Sequence, residues 1–146
     1  MQEQPAPFEI VARIPTDDEY RALCESVGWG DVMNFEAARV AVPNSLYAVV
    51  AERDGTAIGM GRLVGDGAIF FYVQDVAVRP DCQGQGVGRA ILTALMDWIA
   101  ANAPEKAFVG LFADGDTPPF YERFGFARYD AMTGMFLVVP EREGSG

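Results

Sequence analysis

Between residues 70 and 99 the chain changes its hydrophobic period once. Phe70-Phe-Tyr-Val-Gln-Asp-Val-Ala-Val78 is aromatic and β-branched, as a buried strand is. After Gly88 the apolar residues Ile91, Leu92, Leu95, Trp98 and Ile99 recur at helical spacing, with Arg89, Asp97 and Asn102 on other faces. The loop between them has glycine at 84, 86 and 88. It predicts a strand, a glycine loop whose backbone N–H groups stay accessible, and a helix whose positive dipole end lies behind them: an anion site.

Elsewhere, Phe8 to Ile14 alternates as a first strand. Thr16-Asp-Asp-Glu19 has the form of an N-cap with Glu19 at the capping-box position. The helix it starts turns Tyr20, Leu23 and Val27 inward and should stop at Gly28. A second helix, about Phe35 to Val42, ends before Pro43. Strands at Leu46 to Glu52 and Ala57 to Leu63 flank Asp54-Gly55, a strong hairpin signal. With the strand through Phe70 to Arg79 they form an antiparallel meander. The glycine-loop helix should run to about Ala103, followed by a short strand, Ala107 to Ala113. Prolines 118 and 119 start a last helix that ends at Gly125, and Phe126 to Tyr129 with Met135 to Val139 predict a closing hairpin. The order β, α, α, β, β, β, α, β, α, β, β gives an α/β fold, a mixed sheet with helices on both faces and a parallel crossover through the glycine-loop helix. A single domain is expected over residues 1–140, with 141–146 a disordered polar tail.

Composition narrows the chemistry. The 146 residues suffice for one ordinary core, and no apolar run approaches the roughly 20 residues of a membrane helix. The N-terminus lacks the basic start and apolar stretch of a signal peptide, so a cytoplasmic location is expected. A net charge of −10 argues against a nucleic-acid binder and suits either a cationic substrate or simple solubility. With no histidine and two cysteines, an ordinary zinc site and His-activated nucleophiles are disfavoured, so no metal is expected. Catalysis then falls to carboxylates, tyrosine, backbone groups or water.

The glycine spacing fits neither a dinucleotide fingerprint, which needs glycines at the first, third and sixth places, nor a triphosphate loop, which needs Gly-Lys-Ser/Thr. Gln83-x-x-Gly86-x-Gly88 instead resembles the acetyl-coenzyme A loop of the GCN5-related N-acetyltransferase (GNAT) superfamily. Phe120-Tyr-Glu-Arg-Phe-Gly-Phe126 looks like that family's C-terminal signature, and two motifs in the right order are more specific than either alone. Leu23-Cys-Glu-Ser-Val-Gly-Trp29, Asn44-Ser-Leu-Tyr47, Ile58-Gly-Met-Gly-Arg62, Leu111-Phe-Ala-Asp114 and Gly134-Met-Phe136 are further similar to plant and cyanobacterial serotonin N-acetyltransferases. Gln74 to Val78 with the loop is also similar to amino-sugar-phosphate acetyltransferases, whose basic cluster is missing here.

The resemblance implies a GNAT acyl-coenzyme A N-acyltransferase fold and direct transfer of acetyl to a primary amine of a small molecule. Val76, Ala77 and Val78 would offer main-chain groups to the pantetheine arm. Gln83, Gly84, Gln85, Gly86, Val87, Gly88 and Arg89 would surround the pyrophosphate, and Phe120 would pack on the cofactor. Tyr121 matches the tyrosine that protonates the departing thiolate, a transfer from a group near 10 to a thiol near 8.5; the alternative is packing alone. A primary amine near 10.4 is neutral in only about one molecule in 10^3.4 at pH 7, a shortfall of roughly 4.6 kcal/mol. Asp75 is the candidate base, with two other roles open: orienting the ammonium, or holding a loop. An ordinary carboxylate is a poor base unless burial raises it. A backbone N–H at Val76 would polarise the thioester if the strand bulges there. Trp29, Phe35, Phe70, Phe71 and Tyr72 either line an aromatic acceptor pocket, which favours arylalkylamines over polyamines, or belong to the core. Met132 and Met135 either border that pocket or pack in a homodimer interface. The rival from another class is a non-catalytic acyl-coenzyme A sensor.

Overall fold

The computed structural model describes residues 6–142. The chain divides into two compact units, Met1–Leu111 and Phe112–Gly146. The first unit holds one sheet in the order β1-β2-β3-β4-β5, formed by Glu9–Ala12, Tyr47–Arg53, Thr56–Gly65, Phe70–Val78 and Phe108–Gly110. The first four strands pair antiparallel and β5 lies parallel to β4, as the expected crossover requires.

Local chemistry sets the elements. Thr16 Oγ1 accepts from the Glu19 N–H, and the Glu19 carboxylate accepts from the Thr16 N–H, so the capping box closes at the start of α1 (Asp17–Ser26). Asn34 caps α2 (Phe35–Ala41) by accepting from the Ala37 N–H. Asp54 and Gly55 both take positive φ, 51° and 76°, which is the backbone of a type I′ hairpin between β2 and β3.

The sheet packs helices on both faces. Long α3 (Val87–Asn102) buries Val87, Ile91, Leu92, Leu95 and Ile99, and it approaches β3 where that strand has no side chain. A Cβ on Gly61 would sit 2.6 Å from Ile91 Cγ2 and 3.1 Å from Leu95 Cδ1. On the other face Tyr20, Leu23 and Cys24 of α1 join Ala38, Val42, Met60 and Ala77 in a second core cluster. The alternation of Gly59, Met60, Gly61 and Arg62 along β3 thus assigns small residues to the α3 side and Met60 and Arg62 to the α1 side.

In the second unit α4 (Pro118–Glu122) begins with its two prolines, as expected. The expected closing hairpin is absent: residues 126–129 and 135–139 form no strand. Met135, Phe136, Leu137, Val138 and Val139 are exposed. Apolar alternation expresses a fit to a pleated, half-buried surface, and without a hydrogen-bonded neighbour it stabilises no strand. The polar tail expected at 141–146 falls largely outside the described residues.

Candidate active site

The strand before the glycine loop is irregular at the point where chemistry was expected. Met60 pairs with Ala77 and Arg62 with Gln74, so Gly61 alone stands opposite both Asp75 and Val76. This is a β-bulge, and Asp75 carries its left-handed residue at φ 55°. Aspartate is among the few non-glycine residues that tolerate that region. The bulge sends neighbours to opposite faces. Val76 turns toward α3, its Cγ2 3.5 Å from where a Gly61 Cβ would lie. Asp75 turns toward α1, where its Oδ2 accepts from the Tyr20 hydroxyl at 2.9 Å and from Arg62 Nε at 2.6 Å.

This ion pair is nearly enclosed, with side-chain exposures of 14 % for Arg62 and 10 % for Asp75. Arg62 Nη1 continues the network to Ser45 Oγ at 3.3 Å. Burial, then the Asp75 charge, pushes the Tyr20 phenol far above its ordinary range, so it stays a hydrogen-bond donor at any physiological pH. The adjacent Cys24 thiol is raised to about 11, again chiefly by burial and then by Asp75.

Neither Tyr20 nor Arg62 was read from sequence as a site residue. A signal existed for Arg62. Alternation puts it on the same face as Met60, so a charged group inside that face needs a counter-ion, and Asp75 is the acid of the facing strand.

β5 pairs only with Phe70, Phe71 and Tyr72. From Val73 to Val78 no strand among the described residues pairs with that edge of β4, so main-chain groups of Val76, Ala77 and Val78 on that edge have no ladder partner there. The Val78 carbonyl also accepts from Gln83 Nε2 at 3.0 Å, which ties the loop back to the strand.

In the loop Gly84 and Gly86 have φ of 78° and 85°, and a Cβ on either would meet nothing within 4 Å. Glycine is required there for dihedral reasons, and the space over it is open. Gly86 is the N-cap of α3 and supplies no side-chain cap. The N–H groups of Val87, Gly88 and Arg89 therefore point out of the first turn without an intrahelical acceptor. That turn has no acidic residue and carries Arg89, an exposed cation at the positive end of the dipole. A helix start so arranged is completed by an external anion. Gln85 is held from behind: Arg53 Nη2 donates to its Oε1 at 2.7 Å, while Arg53 Nη1 reaches Cys82 Sγ at 3.6 Å and Arg53 Nε reaches the Ala6 carbonyl.

The remaining candidates separate. Trp29 and Phe35 are partly buried against the α1 cluster, with Phe35 edge-on to Tyr20 and the Arg21 guanidinium 4.7 Å from its ring centre. Between α1 and α2 lies a groove of about 470 Å³, with Tyr20, Phe35, Ala38 and Val42 along it and both signs of charge at its rim, Asp17, Asp18 and Glu36 with Arg21 and Arg39, of which Arg39 pairs with Asp17. Phe71 is corrected to core: it is 1 % exposed and packs edge-on to Trp98 on the α3 side, leaving no surface for a ligand. Tyr72 is partly buried at the end of the β4–β5 pairing, and burial raises its phenol.

In the second unit Tyr121 is partly buried between Phe120 and Phe126, and burial followed by the Asp114 charge raises its phenol. Met135 in that unit is 85 % exposed.

The Acetyltransferase (GNAT) domain family matches residues 44–128, which takes in the meander, the bulge, the glycine loop and Tyr121. The chain belongs to this family. It is an N-acetyltransferase of the GNAT type with the mixed α/β sheet of its structural neighbours. A probable acetyltransferase of unknown function, SA2161 from meticillin-resistant Staphylococcus aureus, superposes with a TM-score of 0.84 at 33% identity, covering 91% of this chain and 100% of that one. An uncharacterized N-acetyltransferase, ycf52, of Pyropia yezoensis is 29% identical across 81% of this chain and 69% of its own length. The chloroplastic serotonin N-acetyltransferase 2 of Oryza sativa subsp. japonica is 35% identical across 56% of this chain and 40% of its own. Among the described residues no helix is long and apolar enough to cross a membrane.

Proposed function

We propose that this acetyltransferase uses acetyl-coenzyme A and acetylates the primary amine of a small arylalkylamine. The observation that carries the reading is the bulge at Asp75. It turns one carboxylate toward Tyr20 of α1, which also lines the aromatic α1–α2 groove, while the adjoining strand edge pairs with no strand among the described residues and the helix start that follows is uncapped. Aromatic side chains suit an aryl body, with Tyr20 and Phe35 along the groove.

In this reading the N–H groups of Val87, Gly88 and Arg89, with the loop from Gln83 to Gly86, hold the pyrophosphate. Val76, Ala77 and Val78 hold the pantetheine arm by main-chain hydrogen bonds. Acetyl-coenzyme A supplies a thioester carbonyl, which the Val76 N–H, released from the ladder by the bulge, polarises. Asp75 orients the amine. Its pairing with Arg62 and Tyr20 makes it a group that holds geometry, so the base role weighed for it is set aside. Tyr121 gives its phenolic proton to the sulfur as the C–N bond forms and the C–S bond breaks. Amide formation releases a proton from nitrogen to water, and water returns one to the Tyr121 phenolate, so protons balance over the cycle. Burial and the Asp114 charge raise the phenol, which keeps it protonated and makes its transfer to the thiolate more uphill.

Thiol release measured with a panel of arylalkylamines, polyamines and amino-sugar phosphates tests this. Arylalkylamines should give the fastest release, and Tyr121→Phe should lower kcat by about 10²–10⁴-fold. Tight acetyl-coenzyme A binding with no amine-dependent release would make the protein a sensor, and preference for a polyamine would remove the aryl assignment.

A further inference from the structure

Both hydrogen bonds made to Asp75 end on the same oxygen. Tyr20 and Arg62 each donate to Oδ2, and among the described residues Oδ1 has no partner. The side chain is nine-tenths buried, so this free oxygen is neither solvated as a surface carboxylate is nor consumed by the fold. Because no fully buried side-chain oxygen among the described residues lacks a partner, Oδ1 keeps some solvent contact; the inference places the acceptor amine there and so rests on the function proposed above.

The charge around Oδ1 is set by few groups. From α1 come Tyr20 and Cys24, both held neutral, with Glu25 exposed farther out beside Cys24. From β3 comes Arg62, and behind it Ser45, which is uncharged. From α2 come Phe35 and, at the exposed rim, Glu36 and Arg39; Arg39 pairs with Asp17, and Arg21 of α1 lies over the Phe35 ring and pairs with Glu25, so these outer charges largely balance. Asp75 and Arg62 therefore cancel at the centre. A carboxylate whose charge is already met at 2.6 Å attracts a second cation weakly, and an ammonium arriving there would bring an unmatched charge into an enclosed space. A neutral amine brings none. It can donate one N–H to Oδ1 and keep its lone pair for the carbonyl carbon.

We propose that Arg62, assisted by Tyr20, is a positioning residue that makes this site select the unprotonated amine: it neutralises Asp75 and occupies Oδ2, so that Oδ1 serves as a hydrogen-bond acceptor for a neutral amine and does not grip an ammonium. The proton is shed to solvent when the amine binds, and no protein group takes it up. Asp75 touches the acceptor; Arg62 and Tyr20 act through Asp75.

Proton release on binding reads this directly. The amine giving the fastest thiol release is titrated calorimetrically at pH 7 into protein saturated with coenzyme A, in buffers of different ionisation enthalpy. In that buffer series wild type should release about one proton per amine bound, because the free amine is almost wholly ammonium. Arg62→Lys, which keeps the charge, should retain the release. Arg62→Met should bring it near zero, because the unpaired carboxylate then holds the ammonium itself. Tyr20→Phe, which keeps the pair, should retain the release while weakening binding. No proton release from wild type, or undiminished release from a folded Arg62→Met, would overturn the inference. Should Arg62→Met fail to fold, the wild-type count and Arg62→Lys decide the question. Failure of the parent reading looks different: no amine then releases thiol at all.

Discussion

The Arg62–Asp75 pair makes a stability prediction that does not depend on the reaction. Arg62→Met keeps most of the length of the side chain and removes its charge, leaving Asp75 nine-tenths buried with only the Tyr20 hydroxyl on Oδ2. Two unit charges near 4 Å in surroundings of effective dielectric about 20 attract by about 4 kcal/mol, and removing one partner of a buried pair costs about 3–5 kcal/mol. Asp75→Asn leaves Arg62 uncompensated, and asparagine tolerates the positive φ at this position, so its cost of similar size isolates the charge from the backbone. The double variant removes both charges. It should be less destabilised than the sum of the singles by about 2–3 kcal/mol. Urea unfolding followed by tryptophan fluorescence measures this cleanly, because both tryptophans, Trp29 and Trp98, lie in the first unit. Singles costing under about 1 kcal/mol, with a double equal to their sum, would mean that solvent screens the pair and would undercut the charge cancellation on which amine selection rests.

Other expectations follow from the same geometry. Gly61→Ala places a Cβ 2.6 Å from Ile91 Cγ2 and should cost about 1–3 kcal/mol in urea unfolding; a neutral result would show that α3 moves freely on β3. Arg53→Met releases Gln85 and should weaken coenzyme A binding about five- to tenfold by calorimetry, from loss of one partly exposed charge-assisted bond of about 1–1.5 kcal/mol; unchanged affinity would mean that the loop holds its shape without it. The Glu19 carboxyl is lowered to about 2, first by its hydrogen bonds from Arg13. A depressed acid stabilises above its unfolded value near 4.5 and loses that contribution as pH falls toward about 2, so wild type should lose about 1–2 kcal/mol over that window after allowance for solvent screening, and Glu19→Gln should flatten the loss.

Much of the first unit was legible because local signals and tertiary structure agree there. Thr16 with Glu19, and Asp54 with Gly55, each specify a backbone that the fold then uses. The glycine loop was legible for the same reason, since Gly84 and Gly86 take dihedrals that other residues resist. The misses share a cause: they depend on what a residue packs against. Phe71 and Phe70 are alike in sequence, yet one is enclosed against Trp98 and the other exposed, because strand alternation says that faces differ and not which face is covered. Residues 135–139 have a strand's composition without a strand to pair with. Tyr20 was legible as buried, but the partner of its hydroxyl lies 55 positions away on another element.

The bulge explains why these parts belong to one device. On a regular strand, Asp75 and Val76 would each stand opposite a residue of β3, and one of the two would exchange both its N–H and C=O with that strand. Setting two residues against Gly61 leaves one out of register, and at that same position Gly61 has no side chain to hold α3 away. The same absence lets Ile91 and Leu95 seat α3 directly on the sheet, which fixes where its uncapped N-terminus lies relative to the bulge. A Cβ at position 61 would therefore act twice, lifting the helix that carries the anion site and disturbing the strand that carries Asp75. In the proposed reaction the helix start addresses the donor, and Asp75, on the other face of the same strand, addresses the acceptor. Gly61→Ala should accordingly weaken coenzyme A binding and raise the KM for amine together, whereas Arg53→Met should weaken coenzyme A binding alone. If the two variants gave the same pattern in calorimetry and steady-state kinetics, the coupling of helix and bulge through Gly61 would be wrong.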